Sequence, residues 1–229
     1  MHVGFASAAG APRRAPARLA AGLAAILLLA AARTGADPAP ADPSAATTAI
    51  EGLHAALLDA MKRAKELGFE GRLARIGPAL HDRYDFAFMA EKSVGSGWKR
   101  LDEAQRAQLV DAFGRLATAT YAARFDGWDG ERFETLGTEP ATHDTLLVKT
   151  QIVRGNGEKV PLDYRMRPTD GGWRIIDVFL NGTVSELALR RAEYSSVLRR
   201  EGFDALIAAL EEKIAAQARG GDEPVRGAG

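Results

Sequence analysis

The chain has 229 residues, 30 Lys and Arg against 30 Asp and Glu, and no cysteine. Balanced charge gives no broad cationic field for nucleic acid or an anionic membrane. The missing thiols exclude cysteine nucleophiles, disulfides and thiolate metal sites, so stability must come from packing alone.

Arg13, Arg14 and Arg18 precede an apolar run, Leu19–Ala32, with no acid before Asp37, and small residues lead to Thr34-Gly35-Ala36. This is the order of a secretory signal. The 14-residue run is short of the about 20 residues a spanning helix needs. A cleaved leader over 1–36 is therefore expected, an uncleaved tether being the alternative; cleavage removes four arginines and leaves the remainder net acidic. Residues 37–46 and 218–229 read as a flexible linker and a loose tail around one domain over 47–217.

Within that domain, Ile50, Leu53, Leu57, Met61 and Ala64 recur at helical spacing and Gly68 stands where the helix would stop. Further helices are expected over about 70–80 and 86–94. Asp102 and Gln105 form a capping box for a longer helix whose stripe is Leu109, Phe113, Leu116 and Thr120, extended by Tyr121 and Phe125. The period then changes to two. Strands are expected over 132–138 and 144–153, and after the Asn156-Gly157 turn Val160, Leu162, Tyr164 and Met166 alternate with Pro161, Asp163, Arg165 and Arg167. Pro161 cannot donate to a ladder and marks a bulge or an edge. Asp170-Gly171-Gly172 turns the chain into Trp173–Leu180, and Thr183 with Glu186 reads as a second capping box. Gly202 would end that helix, and Phe203, Leu206, Ile207, Leu210 and Ile214 define the last one. The fold class is α+β: a helical layer on one curved antiparallel sheet of about four strands, cone-like in shape.

Few residues suggest chemistry. His54, His81 and His143 have no paired spacing, and no GxSxG, P-loop or dinucleotide motif occurs, so neither a metal site nor a cofactor is expected. Asp177 is the one candidate base, because simple alternation places it with Trp173, Ile175 and Phe179 in an apolar setting that would raise its pKa. The alternative is a structural carboxylate that fixes the junction between sheet and helix. Asp163 points with Arg165 and Arg167 and reads as a solvated partner. Arg190, Arg191, Arg199 and Arg200 form either a solvated helix face or a headgroup-binding patch.

Tyr84-Asp85-Phe86 with Met89, Gly95 and Trp98, then Ala119-Thr120-Tyr121, Tyr164-Arg165, the run Trp173–Val178, Gly182, and Ser185 with Arg191 and Tyr194 stand in an order that resembles the MlaC (toluene-tolerance) family. The phrases Ser185–Ala188 and Arg190–Tyr194 resemble its hopanoid-associated HpnM branch, with Tyr194 where the family usually has Phe. The resemblance covers about residues 47–217. It implies an MlaC-like cone, no enzymatic activity, and a periplasmic lipid-binding protein, an auxiliary component of an ABC-type transporter. Such a protein ferries hopanoid or phospholipid between an inner-membrane transporter and an outer-membrane acceptor complex. On that reading Phe113, Leu116, Tyr121, Leu146, Val148, Leu162, Tyr164, Trp173 and Phe179 would line a lipid cavity, and Arg191 and Asp177 would serve a headgroup or the framework. The same apolar residues would equally make a filled core.

Overall fold

The computed structural model describes residues 42–220. The expected leader over 1–36, residues 37–41 of the expected linker and residues 221–229 lie outside the described residues. Helix α1 spans Pro43–Lys62, so residues 43–46, expected as linker, are its first turn. Asp42 is the N-cap, its carboxylate accepting from Ser44 N at 2.9 Å, and Pro43 sits at the first helical position where its missing N–H costs nothing. The Trp173 indole donates to Asp42 O at 2.9 Å and ties this start to the sheet.

Helix α2 (Ala64–Arg83) is interrupted at Gly68, whose φ of 58° and ψ of −173° are non-helical and open to glycine. The helix expected to run to a stop at Gly68 ends instead at Lys62, and Gly68 breaks α2 into two pieces. Arg72 is almost fully buried in the second piece; its Nε donates to Ala122 O at 2.8 Å and its Nη1 to Ala64 O at 3.2 Å. Helix α3 (Phe86–Val94) is capped by Asp85, which accepts from Phe88 N at 2.9 Å and from Arg167 Nε at 2.7 Å. A 3₁₀ turn over Gly95–Arg100 leads to α4 (Glu103–Arg124), which opens on the expected Asp102/Gln105 capping box. Leu109, Phe113, Leu116 and Thr120 of α4 are all buried.

Five strands follow as an antiparallel meander in order β1-β2-β3-β4-β5: Arg132–Ala141, Thr145–Val153, Lys159–Thr169, Gly172–Leu180 and the two-residue Val184–Ser185. The fifth was not expected, since two residues show no period. At the β2–β3 turn only Gly157 has positive φ, at 87°. Pro161 pairs with Gln151 of β2 but lies past the end of β4, where Leu180 opposes Leu162, so its missing N–H deprives no neighbour. Leu146, Val148, Tyr164 and Met166 share the inner face with Ile50, Leu53 and Leu57 of α1 in one apolar cluster. Asp163 is a correction: it is buried at 4% exposure and accepts from Thr150 N at 3.0 Å, replacing a ladder bond.

Strand β4 departs from simple alternation. Arg165 opposes Asp177 while the next residue, Met166, opposes Ile175, so Ile176 is an extra residue and a β-bulge. Ile175 and Val178 both face inward, opposite Met166 and Tyr164, while Asp177 and Phe179 face outward, opposite Arg165 and Asp163. Helix α5 (Glu186–Arg200) starts at N-cap Ser185, which accepts from Ala188 N, rather than at Thr183. Gly202, with φ of 92°, turns the chain into α6 (Phe203–Gly220), which packs on α4 through Leu206 and Leu210 and the Arg115–Glu211 ion pair. Among the described residues no helix is long and apolar enough to cross a membrane.

Arg72→Met would leave two buried carbonyls without their donor, at about 1 to 3 kcal/mol each. The substitution is expected to lower unfolding stability by roughly 2 to 4 kcal/mol, read from urea denaturation; a loss under half a kilocalorie would show that Arg72 holds neither the two pieces of α2 together nor α2 to α4.

Candidate ligand cavity

Helix α4 presents Phe113, Ala117, Thr120, Tyr121 and Arg124 in a stripe that faces the ends of β2, β3 and β4 across a gap of about 330 Å³. That volume is in the range of small-molecule cavities. Ile152, Val160, Leu162, Val178 and Leu180 line its sheet side. The floor is formed by the buried residues Tyr84, Met89, Phe113 and Val178, and the exposed residues Arg124, Pro161 and Asn181 mark the mouth. Small side chains at Ala117 and Thr120, between larger neighbours, are what leave the gap open.

Three charged residues stand at the rim. Glu186 lies 3.3 Å from both Arg124 Nη1 and Arg190 Nη2, and Arg190 Nη1 donates to the Tyr194 hydroxyl at 2.8 Å with its guanidinium 5.7 Å from the Phe113 ring centre. The hydroxyl added at Tyr194 therefore has a partner. Glu186 and Arg190 belong to the first turns of α5, whose position is set from the far side of the sheet. Asp177 accepts from Val178 N at 2.8 Å, Ser185 Oγ at 2.5 Å and Leu187 N at 3.0 Å. Ser185 in turn caps Ala188 N, so sheet and helix start are joined through one carboxylate.

A second polar feature runs inside. The Tyr84 and Tyr121 hydroxyls are 2.5 Å apart, and the Tyr164 hydroxyl is 3.1 Å from His54 Nε2. The His54 ring stacks on Phe133 with centroids 4.1 Å apart. Burial raises the Tyr121 hydroxyl to about 12 and drives the Tyr84 and Tyr164 hydroxyls well above their ordinary value. Burial likewise lowers His54 to about 3, so these groups are neutral at pH 7.

Of the residues expected to line a lipid cavity, Phe113, Tyr121 and Leu162 border this gap. Leu116, one position off the stripe, and Leu146, Val148 and Tyr164 are packed in the core instead. Trp173 lies at the opposite end of β4 against Asp42, and Phe179 is turned to the outer face by the bulge. Asp177 is also outward, away from the cavity, in a furrow that includes Arg165, Arg167, Ile176 and Arg191; burial does raise its pKa as expected, against the hydrogen bonds it accepts, but not in the apolar setting with Trp173 and Ile175. Tyr84, Ala117, Arg124, Val178, Glu186 and Arg190 line the cavity without having been expected there. Ala117 and Arg124 were readable from the α4 stripe, being four before and three after Tyr121. Among the described residues no three His, Asp or Glu side chains are grouped to hold a metal ion.

Asp177→Ala would remove three accepted hydrogen bonds at the start of α5 and is expected to cost roughly 2 to 4 kcal/mol in urea unfolding, with Asp177→Asn costing less because one acceptor oxygen remains. Equal stability of wild type and Asp177→Ala would refute this anchoring. For His54 the folded pKa lies below the unfolded one, so its contribution is complete above pH 6.5 and falls as pH drops from there toward about 3. Over that window the unfolded chain binds one more proton, and stability should fall with acidification by up to about 1.4 kcal/mol per pH unit. His54→Gln should flatten this slope between pH 7 and pH 5; an unchanged slope would sink the assignment.

A comparison with curated proteins returns no match. Among solved structures, the chain is similar to a phospholipid-binding protein from Ralstonia solanacearum, solved in complex with a phospholipid at 1.53 Å, with a TM-score of 0.65, 22% identity, and coverage of 78% of this chain and 99% of that one. At that identity the likeness shows the fold: helices on a single antiparallel sheet. The family model described as MlaC protein matches residues 51–212. That match takes in all of the sheet, the cavity and both ends of its polar rim, and the chain belongs to the MlaC family.

Proposed function

We propose that the protein is a lipid carrier that takes the apolar part of one lipid into the cavity between α4 and β2–β4 and leaves the polar part at the Arg124–Glu186–Arg190 rim. The observation that supports this most directly is the cavity itself: an apolar floor and walls, opening between charged residues. Its polarity runs in the same direction as that of a lipid. Family membership and the phospholipid bound by the Ralstonia solanacearum protein point to the same ligand class.

Magnitudes favour carriage over catalysis. Each methylene moved from water into such a cavity contributes about 0.8 kcal/mol, so about ten of them supply roughly 8 kcal/mol before the cost of association. A rim hydrogen bond contributes about 1 kcal/mol. Affinity therefore follows apolar area, and the protein can release its cargo wherever a bilayer offers the same apolar surroundings. The carboxylate that could have acted as a base, Asp177, has its oxygens engaged on the other face of the sheet. The destination we infer is the periplasm, reached through a cleaved leader. There the carrier would pass hopanoid or phospholipid between an inner-membrane transporter and an outer-membrane acceptor. Arg191 lies in the outer furrow with Arg165 and Arg167, away from the cavity mouth, and we assign it no contact with the headgroup.

Native mass spectrometry of the protein purified from its producing cells should show mass increments matching bound lipid. Ala117→Trp, which projects an indole into the cavity from α4, should reduce lipid uptake from vesicles by at least about tenfold, the loss of two or more methylene contacts. Apo protein that also takes up nothing from vesicles would refute the carrier reading.

A further inference from the structure

On the outer face of the sheet, residues of α3, β3, β4 and α5 line a furrow of about 670 Å³. It holds four permanent cations, Lys92, Arg165, Arg167 and Arg191, and a single carboxylate, Asp177. The chain as a whole has no such excess, with 30 basic against 30 acidic residues, so the furrow is a local concentration of charge. Three of the four cations are accounted for. Arg167 is ion-paired with Asp85 at 2.5 Å and Lys92 with Glu91 at 2.8 Å, both beside the Phe88 ring. Arg165 opposes Asp177 across the strands, and its guanidinium donates to Thr145 Oγ1 at 2.9 Å and to Thr142 O at 2.8 Å. Arg191 is the remainder: among the described residues its guanidinium has neither a hydrogen bond nor an ion pair. Asp177 is not its partner, because the Asp177 oxygens accept from Val178 N, Ser185 Oγ and Leu187 N.

We propose that this furrow is a docking site for a partner protein, in which Arg191 takes one Asp or Glu carboxylate from an otherwise apolar stretch of the partner's chain. The charge count leaves room for one anion. The guanidinium fork, with its N–H groups unspent, matches the two oxygens of a carboxylate. Phe88, Ile176, Leu187 and Ala188 line the same furrow and would cover apolar side chains on either side of that carboxylate. A free inorganic anion would leave them uncovered. A bilayer surface is too flat to enter a furrow, and a chain without net positive charge gives it no broad attraction. The site is separate from the lipid cavity. Helix α5 divides the two, with Glu186 and Arg190 at the cavity mouth and Ala188 and Arg191 in the furrow. A partner held at Arg191 therefore leaves the mouth clear for the lipid.

The test titrates the full chain with the capped pentapeptide Ala-Leu-Glu-Leu-Ala, its Gln analogue, inorganic phosphate and phosphatidylglycerol vesicles, following the NMR shifts of the arginine Nε–H groups. The Glu peptide is expected to shift Arg191 Nε and to bind about five- to twentyfold more tightly than the Gln peptide, an advantage that shrinks as salt is raised. Arg191 is exposed and unpaired, so Arg191→Glu should fold as the wild type does; it should lose the advantage of the Glu peptide while lipid uptake from vesicles is kept. Equal affinity for the two peptides, absence of binding by the Glu peptide, or an advantage that survives Arg191→Glu would overturn the proposal. Tighter binding of phosphate or of the vesicles than of the Glu peptide at Arg191 would assign the furrow to phosphate and overturn it as well.

Discussion

The bulge at Ile176 is the constraint on which the cavity depends. Without the extra residue, β4 would keep one phase from Trp173 to Leu180, and Asp177 would point into the apolar interior. With it, Ile175 and Val178 both face inward and Asp177 reaches the outer side, where Ser185 Oγ and Leu187 N meet its carboxylate. That contact fixes where α5 begins. The start of α5 in turn places Glu186 and Arg190 at the mouth of the cavity, and Val178 is freed to become part of the floor. One inserted residue therefore couples the inner surface of the sheet to the helix that closes it.

The same bulge explains where the sequence was legible and where it was not. Elements with strong local signals are readable: the Asp102/Gln105 capping box, the short helix over 86–94, the inward alternation of Leu162, Tyr164 and Met166, and the end at Gly202. A bulge has no such signal in Trp173–Leu180, where apolar residues occupy both phases, and strict alternation assigned Asp177 and Phe179 to the wrong side. The α5 start was misplaced for a related reason. Thr183 and Glu186 have the spacing of a capping box, but the cap is supplied by Ser185 under the control of a residue eight positions earlier. Asp163 was read as solvated because nothing local shows that a carboxylate will replace a ladder bond to Thr150. For the cavity, pattern reasoning found the apolar inner face but could not say which part is filled. Leu116 and Val148 are packed within the core cluster and border no gap, whereas Phe113 and Leu162, of the same cluster, also border a void.

What decides between filled and open is side-chain size along α4. Toward the core the helix presents Leu109 and Leu116; toward the gap it presents Ala117 and Thr120, the smallest side chains it contributes to the lining. Large residues surround the gap and keep it from collapsing. Tyr84 stacks on Phe86, Tyr121 on Phe125, and the Tyr84–Tyr121 hydroxyl contact braces the end of α2 against α4. The aromatic rings act as rigid spacers with their polar ends joined to one another, so the wall tolerates an adjacent void.

A void of this kind has a cost that its occupant must offset. At about 24 cal/mol per Å³, an enclosed dry cavity of about 330 Å³ would take roughly 8 kcal/mol from the fold, comparable with the whole stability of an ordinary domain. The opening between Arg124, Pro161 and Asn181 relieves part of that by admitting water, but water against Met89, Phe113 and Val178 finds few partners. An apolar occupant restores the lost contacts and stabilises the folded state in proportion to its binding. The cost of the empty gap therefore adds to the free energy released when an apolar group fills it. The polar groups divide accordingly: ion-paired at the rim, and as the paired hydroxyls of Tyr84 and Tyr121 beside the apolar lining.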